Sequence, residues 1–219
     1  MIVCSFGAMS LLGMKINQTS ISLPKPSLDG KVSVEKAIKG RRTIRDFKER
    51  ILPLNYLSQL LWAAQGITDP REGKRATPSG GALYPLDIYL VVGVSGVEGI
   101  EAGIYHYLPE KHSISLLSKG DHRKEVASAS LWQTWMAKAP VMFIITAEYQ
   151  RITRKYGERG IRYALIEVGH VGQNLFLQAE ALGLGAGIVG AFNDADVLKV
   201  TGGAPQREPL LIMPIGYKK

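Results

Sequence analysis

Hydrophobic residues recur along this chain with both helical and strand periods. Val34, Ala37 and Ile38 fall on one helical face, and Leu57, Leu60, Leu61 and Ala64 make a stronger one that Gly66 is placed to end as a left-handed residue. Leu86 to Val94 is a β-branched and aromatic run that reads as a strand, and residues 103–108 with 113–117 read as a hairpin turning at 109–112. Asp121 can cap a helix over 122–138, after which Pro140 opens an apolar strand over 141–146. Ile161, Leu165, Val168, Gly172, Leu175, Ala179 and Leu182 recur at steps of four and three, the signature of one long helix. Gly172 at its seam would admit a neighbouring helix, either from a second subunit or from the same core. A strand near Ile188, a short helix over 194–200 and a last strand over 210–215 complete an interleaved α and β pattern.

Composition narrows the class. The chain has 219 residues, 46% of them hydrophobic and 21% charged, with 27 Lys+Arg against 19 Asp+Glu for a formal charge of +8. A chain of this size buries roughly 70% of its unfolded surface, which excludes disordered, collagenous and polytopic membrane classes. One Cys, Cys4, excludes an intrachain disulfide and a Cys-based zinc site, and suits a reducing cytoplasm. Residues 1–14 carry no charge except at their boundary with Lys15; an arm against a partner subunit, a mis-assigned start, a clipped anchor and an export signal all stay open, so membrane association is left open too. The polar, Pro-containing stretch after it reads as a lead-in, giving an arm and linker over 1–31 and a folded domain over 32–219.

Several motifs imitate chemistry without its context. Gly185-Ala-Gly187-Ile-Val-Gly190 matches the dinucleotide fingerprint, but it follows the long helix and leads into a strand, the reverse of the Rossmann order. Glu167 and His170 lie one helical turn apart as in di-iron bundles, yet no second pair exists, so a buried or interfacial histidine is the better reading. Arg151, Arg154, Lys155, Arg159 and Arg162 form a basic bunch interrupted by Gly157 and Gly160, with no nucleic-acid motif beside it. A basic pocket for an anionic ligand accounts for the same charges.

Two segments carry more. Arg41-Arg42-Thr43-Ile44-Arg45 concentrates three guanidinium forks and a hydroxyl, donors suited to phosphate oxygens and to the carbonyl edge of a flat heterocycle. Thr77-Pro78-Ser79-Gly80-Gly81-Ala82-Leu83-Tyr84-Pro85 is a small-residue loop whose glycines let backbone amides approach a planar ligand. In this order, together with residues 60–68, 155–163 and the closing Pro214-Ile215-Gly216, they resemble the nitroreductase superfamily of FMN-dependent oxidoreductases and, within it, the SagB/ThcOx-type dehydrogenases.

That resemblance implies an α+β fold of three layers, α/β/α, in an intertwined homodimer with two FMN sites at the interface. It assigns Arg41, Arg42, Thr43 and Arg45 to the FMN phosphate and pyrimidine edge, with Arg45 stabilising the reduced ring, and Pro78, Ser79, Gly80, Gly81 and Leu83 of the other subunit to the isoalloxazine. Backbone amides of Val189, Gly190 and Ala191 would lie near the flavin N5, and Lys218 or Lys219 would grip the phosphate. Lys155 and Tyr156 match a pair implicated in taking a substrate proton, a role that for a lysine requires burial and neighbouring cations; a scaffold pair that closes the pocket is the competing reading. The function implied is ping-pong hydride transfer with NAD(P)H as donor and a small-molecule or peptide substrate. The alternatives are an azoline-to-azole dehydrogenase working with a cyclodehydratase partner, a flavin-binding protein without turnover, and a basic nucleic-acid-binding protein. A segment for leader-peptide binding is not evident in the sequence, which tilts the expectation towards a stand-alone oxidoreductase.

Overall fold

A computed structural model describes residues 20–219; the readings of residues 1–14 lie outside the described residues. Seven strands form one antiparallel sheet: β1 (Ser20–Ser22), β4 (Leu86–Val92), β5 (Gly103–Leu108), β6 (Ser113–Lys119), β7 (Val141–Ala147), β8 (Leu184–Ala186) and β9 (Glu208–Tyr217). Their order is β1-β6-β5-β4-β7-β9-β8. A small hairpin, β2 (Ile67–Asp69) with β3 (Lys74–Arg75), stands apart. The helices are α1 (Val34–Gly40), α2 (Leu54–Gln65), α3 (Arg123–Ala129), α4 (Gln150–Tyr156), α5 (Arg159–Ala181) and α6 (Asp194–Thr201).

The alternation of side chains along the central strands decides the layers. Ile88, Leu90, Val92, Phe143, Ile145 and Met213 face α2 and α5, where they bury Leu57, Leu60, Leu61, Val171 and Leu175. Tyr89, Val91, Met142, Ile144 and Ile212 face the other way, onto Val126, Ala127, Met136 and Val197 from α3, the turn after it and α6. The architecture is therefore α+β in three α/β/α layers, as expected.

Local differences have identifiable causes. Ser20–Ser22 pair with Ser113–Ser115 of β6, and Leu23 packs in the core, so the ordered sheet begins ahead of Val32. The uncharged Ser-Ile-Ser stretch is too short to show a strand period. Gly66 is extended (φ −65°, ψ 150°) rather than left-handed, because the chain passes directly into β2; glycine is required there since a Cβ would collide with Trp62. The helix expected over 122–138 stops at Ala129. Leu131 and Trp132 both take positive φ, and a 3-10 turn over Thr134–Lys138 follows, which carries Trp135 to Phe47 and Arg45. On α1 only Ala37 is buried, Val34 and Ile38 being exposed. Gly172 admits a strand rather than a helix: its Cβ would stand 3.0 Å from Leu211 of β9. The outward glycine of α5 is Gly169, which has open space around it. The strand expected near Ile188 lies earlier, at β8, and Ile188 itself is 40% exposed.

Candidate active site

The arginine-rich segment is laid along the sheet edge by its own backbone. Arg41 caps α1, its N–H donating to the Ala37 carbonyl, and Thr43 bridges Ala186 in parallel while the Ile44 N–H donates to the Ala186 carbonyl at 2.9 Å. This explains the glycines after α5. A Cβ on Gly185 would stand 2.7 Å from Ile44, and one on Gly187 2.6 Å from Trp135, so both permit close packing of the segment against β8.

Arg41 lies over the Phe176 ring at 5.1 Å and Arg45 over Trp135 at 5.8 Å; Arg42 donates to the carbonyls of Lys39 and Arg41. Among the described residues none of these three guanidinium groups has a carboxylate within ion-pair range. Lys218 joins the segment through a bridge with Phe47, but its Nζ is taken by Glu180 at 2.6 Å, and Lys219 pairs with Asp46 at 3.4 Å. Of the three residues expected to offer amides, Val189 spends its N–H on the Ile212 carbonyl. Gly190 and Ala191 donate to no backbone carbonyl among the described residues, and a Cβ on Gly190 would meet open space.

The Pro78–Gly81 loop stands at the far end of α5. Gly81 has φ +63°, and the non-glycine residues Ala82 and Tyr84 also take positive φ. That unfavourable conformation is held by anchors on Tyr84. Its N–H donates to Ser79 Oγ at 2.9 Å, its hydroxyl accepts from the Arg75 N–H at 3.0 Å, and its ring lies under the Arg75 guanidinium at 4.4 Å. Gly80 packs against Ile152 and Tyr163. A Cβ on Gly81 would stand 2.6 Å from Tyr156 Oη and 3.2 Å from Lys155 Nζ. The structure thus brings Lys155 and Tyr156 to the loop, with Leu83 half-buried at the loop's end. Lys155 is exposed on the single chain rather than buried. His170 is likewise exposed on the single chain, so of the two placements expected for it, buried or interfacial, burial within the chain does not hold; its helix neighbour Glu167 is the buried one.

An ion-pair network, not foreseen from the sequence, holds this end of the sheet. Asp87 of β4 receives two bonds from Arg151 (3.1 and 2.8 Å) and faces Arg207 at 3.1 Å and His106 at 3.5 Å. Arg151 also pairs with Glu148 at 2.7 Å and donates to the Tyr84 carbonyl at 3.4 Å, tying the network to the loop. Although burial opposes ionisation, the hydrogen bonds from His106 and Arg151 and the nearby guanidinium charges hold the Asp87 carboxyl down at about 2. The only signal in the sequence was one aspartate inside an apolar strand run. Because Arg151 is consumed here, the basic bunch of residues 151–162 does not present one continuous charged surface. Beside the network lies a cavity of about 260 Å³, lined by Arg75, Asp87, His106 and Arg151 among others.

The two groups do not meet within one chain. Gly80 packs on Tyr163 near the start of α5, whereas Gly40, next to Arg41, packs on Glu180 near its end. At about 1.5 Å rise per residue the separation along the helix is roughly 25 Å. The residues nonetheless fit FMN: unmatched guanidinium groups and two free amides on one side suit a phosphate and a carbonyl-edged ring, and a glycine loop on the other suits a flat face.

Comparisons with known proteins bear on the chain and its fold as a whole. The model of the family described as "Nitroreductase family" matches residues 38–217. A Methanocaldococcus jannaschii protein provisionally named a nitroreductase is 45% identical over 187 residues, covering 85% of this chain and 92% of that protein. The microcin B17-processing protein McbC of Escherichia coli is 30% identical over 151 residues, covering 68% of this chain but only 56% of McbC. Among solved structures, a Ralstonia eutropha protein, also provisionally named a nitroreductase, superposes with a TM-score of 0.80 at 26% identity, covering 91% of this chain and 90% of that one.

Proposed function

The chain belongs to the nitroreductase family, and from that premise we propose that it is an FMN-dependent oxidoreductase whose two active sites are completed in a homodimer. The observation that carries this reading is the separation of the arginine segment from the Pro78–Gly81 loop by most of the length of α5. Two half-sites that far apart serve one cofactor only if a second copy turns its loop towards the first copy's arginines. The surface between them favours such a copy: Ile161, Leu165 and Ile166 of α5 are 39–50% exposed, and Gly169 opens the same region to close approach.

Bound FMN supplies two-electron hydride chemistry at its N5, alternating between donor and acceptor in a ping-pong cycle. Arg41 and Arg42, free of carboxylates, bind the phosphate; Arg45, steadied over Trp135, places positive charge at the pyrimidine edge and favours the reduced ring. The Gly190 and Ala191 amides orient the ring, and Pro78 to Gly81 with Leu83 cover it. Lys218 neutralises Glu180, which would otherwise repel a phosphate beside Arg41.

The place of Lys155 and Tyr156 beside Gly81, together with the identity to McbC, favours a second reading of the same site. The substrate is then an azoline within a peptide, supplied by a cyclodehydratase partner, and Lys155 takes the substrate proton as hydride leaves. The test is the visible absorbance of the purified protein, followed by anaerobic titration with NADH and NADPH. Bleaching of a flavin spectrum by a nicotinamide supports a reductase, and a flavin reduced only by an azoline peptide supports the dehydrogenase. A colourless protein that FMN cannot reconstitute overturns both.

A further inference from the structure

Glu167 is the one carboxyl of α5 sealed inside the protein, 1% exposed, on the side of the helix that lies under the loop. Its Oε1 accepts from Gln65 Nε2 of α2 at 3.1 Å, whereas Oε2 is buried without a completed hydrogen bond. An unsatisfied buried carboxylate oxygen is costly, so its presence calls for a partner that engages it in the working state. The neighbouring donor is the Ser79 hydroxyl, which lies close enough to favour the charged carboxyl. Ser79 Oγ meanwhile accepts the Tyr84 N–H at 2.9 Å, leaving the hydroxyl proton free to donate.

Resting on the FMN reading of the site, the geometry points to Glu167 as the positioning residue of the Pro78–Gly81 loop: the Ser79 hydroxyl donates to Glu167 Oε2, and the chain Tyr84 N–H to Ser79 Oγ–H to Glu167 fixes the loop in its flavin-covering position. A carboxylate suits this role better than an amide. Gln65 already donates to one oxygen, and the hydroxyl needs an acceptor at the other; an amide nitrogen there would confront the hydroxyl proton with a donor.

Burial is the chief influence on the carboxyl, raising it to about 7 against the opposing effects of Ser79, Gln65 and Arg75. The grip on the loop therefore tightens as pH rises through neutrality. The groups that face this region are Arg75 of β3, itself paired with Glu110 at 2.8 Å, the uncharged Gln65 of α2, and Lys155 and Tyr156 of α4 on the far side of Gly81.

The test is a double-mutant cycle on Glu167→Gln and Ser79→Ala, read first in the apoprotein as the hydrogen-exchange rate of the Tyr84 amide. Each single variant is expected to raise that rate about tenfold, and Glu167→Gln to add less than about twofold once Ser79 is alanine. Affinity for FMN, titrated by fluorescence quenching, should show the same non-additivity, and its rise between pH 6 and 8 should vanish in Glu167→Gln. Effects that simply multiply, or an unchanged Tyr84 amide in Glu167→Gln, overturn the inference. If the unaltered protein does not bind FMN, the functional reading fails while the exchange cycle still decides the link between Glu167 and Ser79.

Discussion

At the C-terminal end of α5, Arg41, Arg42 and Arg45 stand without carboxylate partners among the described residues, whereas at its N-terminal end Asp87, Arg151, Arg207 and Glu148 are bound into one network that grips the Tyr84 carbonyl. The first region holds charge in reserve for a ligand and contributes little to folding by it. The second spends its charge on itself and thereby helps fix a backbone with positive φ at Gly81, Ala82 and Tyr84, unfavourable at the latter two. A binding surface for an anion and a rigid wall for a flat ring need opposite electrostatics, and the two ends of one helix supply them separately.

The largest effect expected from this contrast is at the arginine end. Combining Arg41→Ala with Arg45→Ala should lower FMN affinity by about 100-fold or more, at roughly 1.5–3 kcal/mol per charge-assisted contact. The urea midpoint should stay within experimental error. A matching loss of stability would break the comparison. At the loop end the balance reverses: Asp87→Ala leaves the half-buried Arg207 without its anion and Arg151 with Glu148 alone, and should cost about 3 kcal/mol in urea unfolding.

Next in size is the pH response of Glu167. Its folded-state value of about 7 lies above the ordinary 4.5, with burial as the main cause, so the folded protein binds this proton more tightly than the unfolded chain. Its contribution is fully present below pH 4.5 and is lost as pH rises through 7, a swing of roughly 3 kcal/mol at most. Denaturant melts across that window should flatten in Glu167→Gln. The smallest effect belongs to Gly81→Ala. Its positive φ and the nearness of Tyr156 Oη predict a loss of about 1–2 kcal/mol, with Lys155 and Tyr156 displaced, visible as a drop in turnover larger than the drop in stability.

The layered fold, the long helix, the central strands and the grouping of the arginines with the post-helix loop were legible because each rests on local periodicity or on an ordered set of motifs. The division of the site between two subunits came only from the resemblance, which gives the loop to the other subunit; periodicity could not show it, since it depends on which end of α5 each loop reaches. Three-dimensional closure also hid the Asp87 network, whose members are scattered from residue 87 to residue 207. The break after Ala129 escaped notice because nothing in Ser-Leu-Trp forbids a helix; tertiary packing of Trp135 on Phe47 outweighs propensity there. The glycines at 185 and 187 illustrate the reverse case, a motif visible in the sequence whose reason is the close passage of Ile44 and Trp135.

The most direct test of the shared site is complementation. One variant carries Arg41→Ala with Arg45→Ala; the other carries Pro78→Glu at an exposed position of the loop. Each is purified, shown to bind no FMN, then unfolded and refolded together with its counterpart. In a mixed dimer one site collects both defects and the other is intact, so the account predicts up to one FMN per mixed dimer by visible absorbance. A mixture that stays colourless while the unaltered protein refolds yellow would contradict it.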